Sequence, residues 1–557
     1  MSELLGVLRE TARAHPARGW LETRGSDGEF LREDWARIHL DARRAAASLA
    51  ARGIGAGDAV ALFMGSPRHV AVATQACWLR GASVTMLHQP TARTNLTTYA
   101  ADTFGILQTI DADALVLGPP YADVVEHFAP AASDASAAIL TSDELLAGER
   151  LIDPDPAVAD ESSPALLQLT SGSTAAPKAV VITHGNLISN MRAMVEVSDI
   201  RADDIMLSWL PVFHDMGMVG FLCVPMVFGL KLVKVTPADF VASPASWMRL
   251  ISDRGASITA APNFAYGIAA RALSKAAPLD LSTLRIALNG AEPIDPRTVE
   301  LFCEAGERHG LDPSAVLCAY GMAEAALAGS VAPVGRGLVI ATVDERVLGA
   351  QRVAKPVEGA GSAFALLGAP LGGIEVEVRG EKGEVLPERH VGTLMIRGDA
   401  VSPGYVTAEG LRGSQDAEGW LDTGDEGYLV DGEVVVCGRI KDLIIIGGRN
   451  IYPTDVERAA ERVEGVRRGN CAAVPVLVGG REVLAVVAES TYYDDEQHRG
   501  RIEQEIRVAT YADLEVRPTY VVLIAPGALP KTPSGKIQRV KVRESIQRRI
   551  GGEHAAP

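Results

Sequence analysis

The sequence is short of paired cysteines, of positive charge and of long apolar runs, and each shortage excludes something. Its six cysteines, at 77, 223, 303, 318, 437 and 471, stand far apart with no CxxC pair. That pattern fits reduced thiols and gives neither a disulfide framework nor a zinc site. Lys and Arg total 53 against 70 Asp and Glu, for a net charge of −17. A polyanion is repelled by such a surface, so nucleic acid is not an expected partner. The longest uncharged apolar run, 216–230, contains Pro225 and is too short to span a bilayer. The opening "MSELLGVLRETARAHP" carries acids and no apolar signal core. A cytoplasmic protein without a transmembrane segment is the expectation.

What is present is ordinary for a globular enzyme: 47% hydrophobic and 22% charged residues. A chain of 557 residues exceeds one hydrophobic core and divides into several folding units. One stretch reverses the overall charge. Lys531, Lys536, Arg539, Lys541, Arg543, Arg548 and Arg549 face the single acid Glu544. This is either a solvated basic helix or an end that meets phosphates or an acidic partner.

Short β-branched runs alternate with helical segments through the first part of the chain. A helix over 35–51, a strand over 59–64, a helix over 69–79, a strand over 83–87 and a helix over 97–107 are expected. Such alternation predicts βαβ units and a mostly parallel sheet with helices on both faces. A second series is expected from "AVVIT" (179–183) onward, with "SITAAPN" (257–263) and "LRIALNGAEPI" (284–294) as strands running into loops. Beyond about 370, short strands with glycine turns predict a β-rich subdomain. The expected fold class is therefore α/β, with two parallel-sheet subdomains and a small β-rich one (about 370–438) in residues 1–438. A short charged junction, 439–442, precedes a small α+β unit, 443–557. This junction is the expected hinge.

The stretch "TSGSTAAPKAV" (170–180) holds the hydroxyls of Thr170, Ser171, Ser173 and Thr174, the permissive Gly172 and the cation Lys178. It lacks the glycine spacing of a Walker loop. Donors that converge with one lysine form an anion cradle, and the same composition also makes a simple turn.

The order of the motifs decides between them. "LTSGSTAAPKAV" is followed by "LPVFHDMG" (210–217), "NGAEPI" (289–294), "YGMAE" (320–324) and "GWLDTGDEGYL" (419–429). "GRIKDLIIIGGRNIYPTDVE" (438–457) and "LPKTPSGKIQR" (529–539) complete the set. Over nearly its whole length the chain resembles the adenylate-forming enzymes, which include acyl-CoA synthetases, luciferases and peptide-synthetase adenylation domains.

The resemblance implies ATP and Mg²⁺ as cofactors. It places the hydroxyls of 170–174 and Lys178 on the phosphates and Glu324 on Mg²⁺, a hard ion suited to carboxylate oxygen. Tyr320, with Gly321, Met322 and Ala323 beside it, would lie against adenine, and Asn289, Gly290, Ala291 and Glu292 would line the other edge. Asp425 would accept from both ribose hydroxyls, reinforced by Arg439. Lys536 would bridge the attacking carboxylate and the α-phosphate, lowering the repulsion between two anions. Lys441 corresponds to the hinge about which the small C-terminal unit rotates.

His214, the third proposed catalytic residue, stands where amino-acid-activating members carry aspartate, which argues against an α-amino acid substrate. Met216, Met218, Val219 and Phe221 suit an acyl chain, or else simply pack in the core. "FHDMG", "APNFAY" (261–266), Ala323 before Glu324 and "GRNIYPTDVE" (448–457) resemble the fatty acyl-AMP ligase branch. The long segment containing 339–364 does too, where an insertion restrains the rotation. That branch hands its acyl group to the phosphopantetheine thiol of an acyl carrier protein, or of a carrier domain in a polyketide or peptide synthase. CoA is the alternative acceptor, and a non-catalytic nucleotide- or acyl-binding homologue is a third reading. Ala175 and Ala179 replace glycines common in the family, so a stiffer loop is expected.

Overall fold

A computed structural model describes residues 2–14, 19–25, 27–90, 96–122, 137–153, 155, 157–170, 178–359, 361–446, 449–478, 481–532 and 535–553. Two eight-stranded sheets organise the larger part of the chain. In the first, strands 59–63, 83–86, 114–117 and 138–141 pair in parallel. Both faces of this sheet are covered, so its strands read as unbroken apolar runs: Ala59–Phe63 is buried at every position. In the second sheet, strands 231–234, 205–208, 258–261, 286–289 and 316–321 run parallel in that spatial order.

One expectation about these sheets is overturned. Ala179–Thr183 does not begin the second series: it pairs antiparallel with Pro164–Leu169 and belongs to the first sheet. The cause is length, since a parallel return needs a crossover of a dozen or more residues, and the connection between them is too short. Ala179 is a fully buried strand residue paired opposite Leu169 and Val406. It does not stiffen the loop, because its backbone sits in an extended ladder. Ala175 lies outside the described residues.

The β-rich region forms a four-stranded antiparallel sheet of 374–379, 392–398, 421–430 and 433–439. Its hairpin 404–407/410–413 instead extends the first sheet through Ala179 and Val180. After a 3₁₀ turn at Ile440–Asp442, strands Cys471–Val478, Arg481–Glu489 and Tyr520–Ile524 form one small sheet. Its residues alternate between two cores: Cys471, Ala473, Leu484 and Val486 on one face, Ala472, Val474, Ala485 and Val487 on the other. That period-two pattern is what a sheet covered by helices on both faces requires. Arg539 opens the last helix but is not solvated. It is bound to Glu457 by a fork of contacts at 2.7 and 2.9 Å, while Arg543 and Arg548 remain exposed.

The segment singled out at 339–364 folds as a small antiparallel pair, Ile340–Val343 with Ser362–Ala365, around a helix, Glu345–Gln351. It lies against the C-terminal residues. Arg346 bonds Glu515, Arg449 stands 3.7 Å from Glu345, and the Ser362 hydroxyl donates to Asp455 at 3.2 Å. Among the described residues, no helix is long and apolar enough to cross a membrane.

Candidate active site

A cavity of about 1790 Å³ opens where the strands of the second sheet end, and residues after 438 form its other wall. Ligands of open α/β sheets collect at such strand ends. The cavity draws together Thr170, Lys178, His214, 290–292, 320–324, Arg439, Lys441 and Lys536. Ser171, Gly172, Ser173 and Thr174 lie outside the described residues.

The turn 320–326 is forced by close packing. A Cβ on Gly321 would stand 2.1 Å from the Leu327 carbonyl, so only glycine fits there. A 3₁₀ turn, Ala323–Ala325, then presents Glu324. Its Oε1 accepts from the Tyr405 hydroxyl at 2.9 Å, and the Lys178 ammonium lies 3.8 Å over the same tyrosine ring. Burial lowers the Lys178 pKa, opposed by Glu324. Tyr405 thus joins the expected metal ligand to the expected phosphate lysine. Nothing in the sequence around "GYVT" marks it.

Asp425 is grouped with Tyr320 and Arg439. It is 3% exposed and sits just behind the cavity wall. Its Oδ2 accepts from the Tyr320 hydroxyl at 2.6 Å, and its Oδ1 is 2.7 Å from Arg439 Nε. Burial pushes this carboxyl above the usual range in spite of Arg439. The two residues expected to flank the aspartate therefore hold it, one on each oxygen.

Asn289 ends its strand fully buried, outside the cavity lining that its neighbour Gly290 joins, and donates to Asn263 at 3.0 Å, while its own Oδ1 is buried without a partner. The Thr170 hydroxyl is orphaned in the same way. Ala291 takes a left-handed backbone, φ 69°. Glu292 accepts from the Phe264 amide at 2.6 Å. Burial pushes its carboxyl up against the opposing pull of Phe264, Lys536 and Lys531.

His214 and Asp215 start a π-helix, Met216–Cys223, with Phe221 kinked out of helical geometry. Such widened turns recur at functional sites. His214 Nδ1 lies 2.5 Å from Asp215 Oδ1, which also accepts from the Met216 amide at 2.7 Å. Burial works to raise the Asp215 carboxyl, but His214 and Lys536 outweigh it and hold it below the usual value. Asp215 is a second residue that motif reading passed over, although it adjoins His214. Of the four residues suited to an acyl chain, Met216 and Phe221 line the cavity. Met218 and Val219 are 1% and 0% exposed and pack in the core instead. The apolar arm is completed by Met206, Trp209, Phe240 and Ile258, with Trp209 stacked on Phe240 at 4.0 Å.

Lys536 enters from the C-terminal side. The Thr532 hydroxyl accepts from its amide at 3.0 Å, and Thr532 N donates back to the Lys536 carbonyl at 2.7 Å. Gly535 (φ 90°) brings this hairpin so near Phe264 that a Cβ would lie 3.2 Å from the ring. The cavity thus brings cations, an apolar group of side chains, His214 and Lys536 into one space.

Residues 8–406 match the family of AMP-binding enzymes. The chain is 47% identical over 516 residues to a Mycobacterium tuberculosis protein, Rv1013, named provisionally as a ligase, covering 91% of this chain and 94% of that one. It is 36% identical over 434 residues to the long-chain-fatty-acid–AMP ligase FadD32 of Mycolicibacterium smegmatis, covering 69% of each. A solved structure from a study of fatty acyl-adenylate ligases of E. coli and L. pneumophila superposes with a TM-score of 0.88. It is 30% identical and covers 99% of both chains. The chain belongs to the AMP-binding family of adenylate-forming enzymes and is an acid ligase of that family.

Proposed function

We propose that this protein is an ATP-dependent fatty acyl-AMP ligase that passes its acyl group to a phosphopantetheine thiol on a carrier protein or synthase carrier domain. The observation that carries the reading is that the apolar residues Met206, Trp209, Phe221 and Phe240 line the same cavity as His214 and Lys536. A saturated chain fits walls without charge, and its carboxylate then lies between those two residues. Lys536 offsets the repulsion as that carboxylate attacks the α-phosphate, and pyrophosphate leaves. His214, oriented by Asp215, steadies the carboxylate.

Thr170, which lines the cavity, carries an orphaned hydroxyl of the kind that a nucleotide satisfies. Glu324, with one oxygen held by Tyr405, is an oriented hard ligand that suits Mg²⁺. When bound, that ion would offset phosphate charge. Asp425, oriented by Tyr320 and Arg439, keeps a free acceptor site on each oxygen for the ribose hydroxyls. The segment 339–365, bonded to the C-terminal residues, supports restrained rotation and hence a carrier thiol as the acceptor.

The test is purified protein with ATP, Mg²⁺ and a fatty-acid panel, followed by CoA or a pantetheinylated carrier protein. The expected result is pyrophosphate release, accumulated acyl-AMP and acyl transfer to the carrier. Rapid acyl-CoA formation would assign the acceptor to CoA instead. No pyrophosphate with any acid would leave only nucleotide or acyl binding.

A further inference from the structure

We propose that Arg458 is a clasp that holds the C-terminal residues in the orientation that puts Lys536 into the cavity, and is therefore a positioning residue for adenylation. Arg458 lies on the helix Pro453–Glu461. Its Nη2 donates to the Ile294 carbonyl at 2.8 Å and its Nη1 to the Ala363 carbonyl at 3.0 Å. These two carbonyls come from separate stretches of the larger part of the chain. Ile294 follows the cavity loop 289–292, and Ala363 lies on the second strand of the 339–365 segment.

The guanidinium is also flanked by carboxylates. Asp455, one turn earlier on the same helix, is 3.5 Å away, and Asp295 is 3.9 Å away. Asp455 in turn accepts from Ser362. Only a planar fork with several donors spans two carbonyls while remaining near both acids. The side chain is 23% exposed, so its bonds are shielded from water. By contrast, Arg346, 74% exposed, and its partner Glu515, 47% exposed, form a surface ion pair, a type that contributes little.

A contact between one mobile side chain and two carbonyls is made or lost as a unit. While it holds, the helix carrying Arg458 is tied beside Glu292, whose carboxyl lies in the field of Lys536. When the C-terminal residues turn away for the second half-reaction, both bonds must break. Arg458 then sets how long Lys536 stays in place. The inference rests on adenylation and not on the identity of the acceptor.

The experiment places spin labels at two exposed sites, V385C in the β-rich sheet region and V508C on the helix 496–514, in wild-type, Arg458→Gln, Arg458→Lys and Lys536→Ala backgrounds. Inter-label distances are measured without substrate, and pyrophosphate release is measured in parallel. Arg458→Gln is expected to broaden the distance distribution and lower the adenylation kcat about tenfold, with KM for ATP within about twofold. Arg458→Lys recovers part of both, since one ammonium reaches one carbonyl well. Lys536→Ala is expected to lower adenylation by a factor on the order of 10³ without moving the labels, so failure of the adenylation reading shows separately. Unchanged distances and an unchanged kcat in a folded Arg458→Gln protein would overturn the clasp. A fall in kcat with unmoved labels would also overturn it, because the residue would then act at the site and not through position.

Discussion

The two walls of the cavity are held by opposite means. The wall from the second sheet is an aromatic stack: Trp209 on Phe240, with Trp247 edge-on to both at 6.0 Å and Tyr266 beyond it. All four side chains are buried. The wall from the C-terminal residues meets the rest of the chain through arginines, carboxylates and carbonyls, several of them open to water. Burial of large apolar surface stabilises in proportion to the area removed from water, and paired aromatic rings add to it. Polar contacts near water cost little to exchange, because water replaces each partner. The first wall is thus built to keep one shape for a chain of methylenes, and the second to be left and regained.

The largest effect should come from the residue that the second wall delivers. Lys536→Ala is expected to lower adenylation by a factor on the order of 10³, the scale of losing one preorganised charge at a phosphoryl centre. ATP affinity should stay nearly unchanged. Equal rates by pyrophosphate release would remove Lys536 from the chemistry and leave the second wall without a catalytic purpose. Next is the first wall. Trp209→Ala removes a buried ring that stacks on Phe240 and borders the cavity, and should destabilise the protein by about 3 kcal/mol, the range for large aromatic truncations. The added volume should shift the preferred acid toward longer or bulkier chains. A melt that matches wild type would mean that the aromatic stack is not what fixes this wall.

The sequence reveals these two walls unequally. Parallel strands and their helices are legible because apolar runs of strand length alternate with helical periods, and the catalytic lysine is legible because its turn and neighbours form a motif. What failed to show is contact between distant residues. Asp425 accepts from Tyr320, 105 positions earlier, and Tyr405 joins Glu324 to Lys178 across two sheets. No local pattern encodes either pairing. The antiparallel return of Ala179–Thr183 was within reach, since the length of the preceding connection forbids a crossover. The split of Met216 and Phe221 from Met218 and Val219 was not. A π-helix with a kink at Phe221 presents residues at angles that a 3.6-residue period does not describe.

The smallest effect separates the walls by pH. Glu345, on the helix that faces the C-terminal residues, is pushed to about 7, first by burial and then by Asp455, Asp513 and Glu515 across the interface, against the pull of Arg449. All four of those charged groups belong to the second wall, and its own helix adds Arg346. A carboxyl that titrates higher when docked binds its proton more tightly there. Docking is therefore strongest below the ordinary glutamate value, weakens as pH rises toward about 7, and changes no further above it. The aromatic wall has no such group at its stack and should not respond over that range. Between pH 5 and 8 the distance between labels at 385 and 508 should broaden with rising pH in the wild type. In Glu345→Gln the distribution should stay constant and near the low-pH form. A variant that tracks the wild type at every pH would place the titration elsewhere and leave the reversibility of the second wall to its arginines alone.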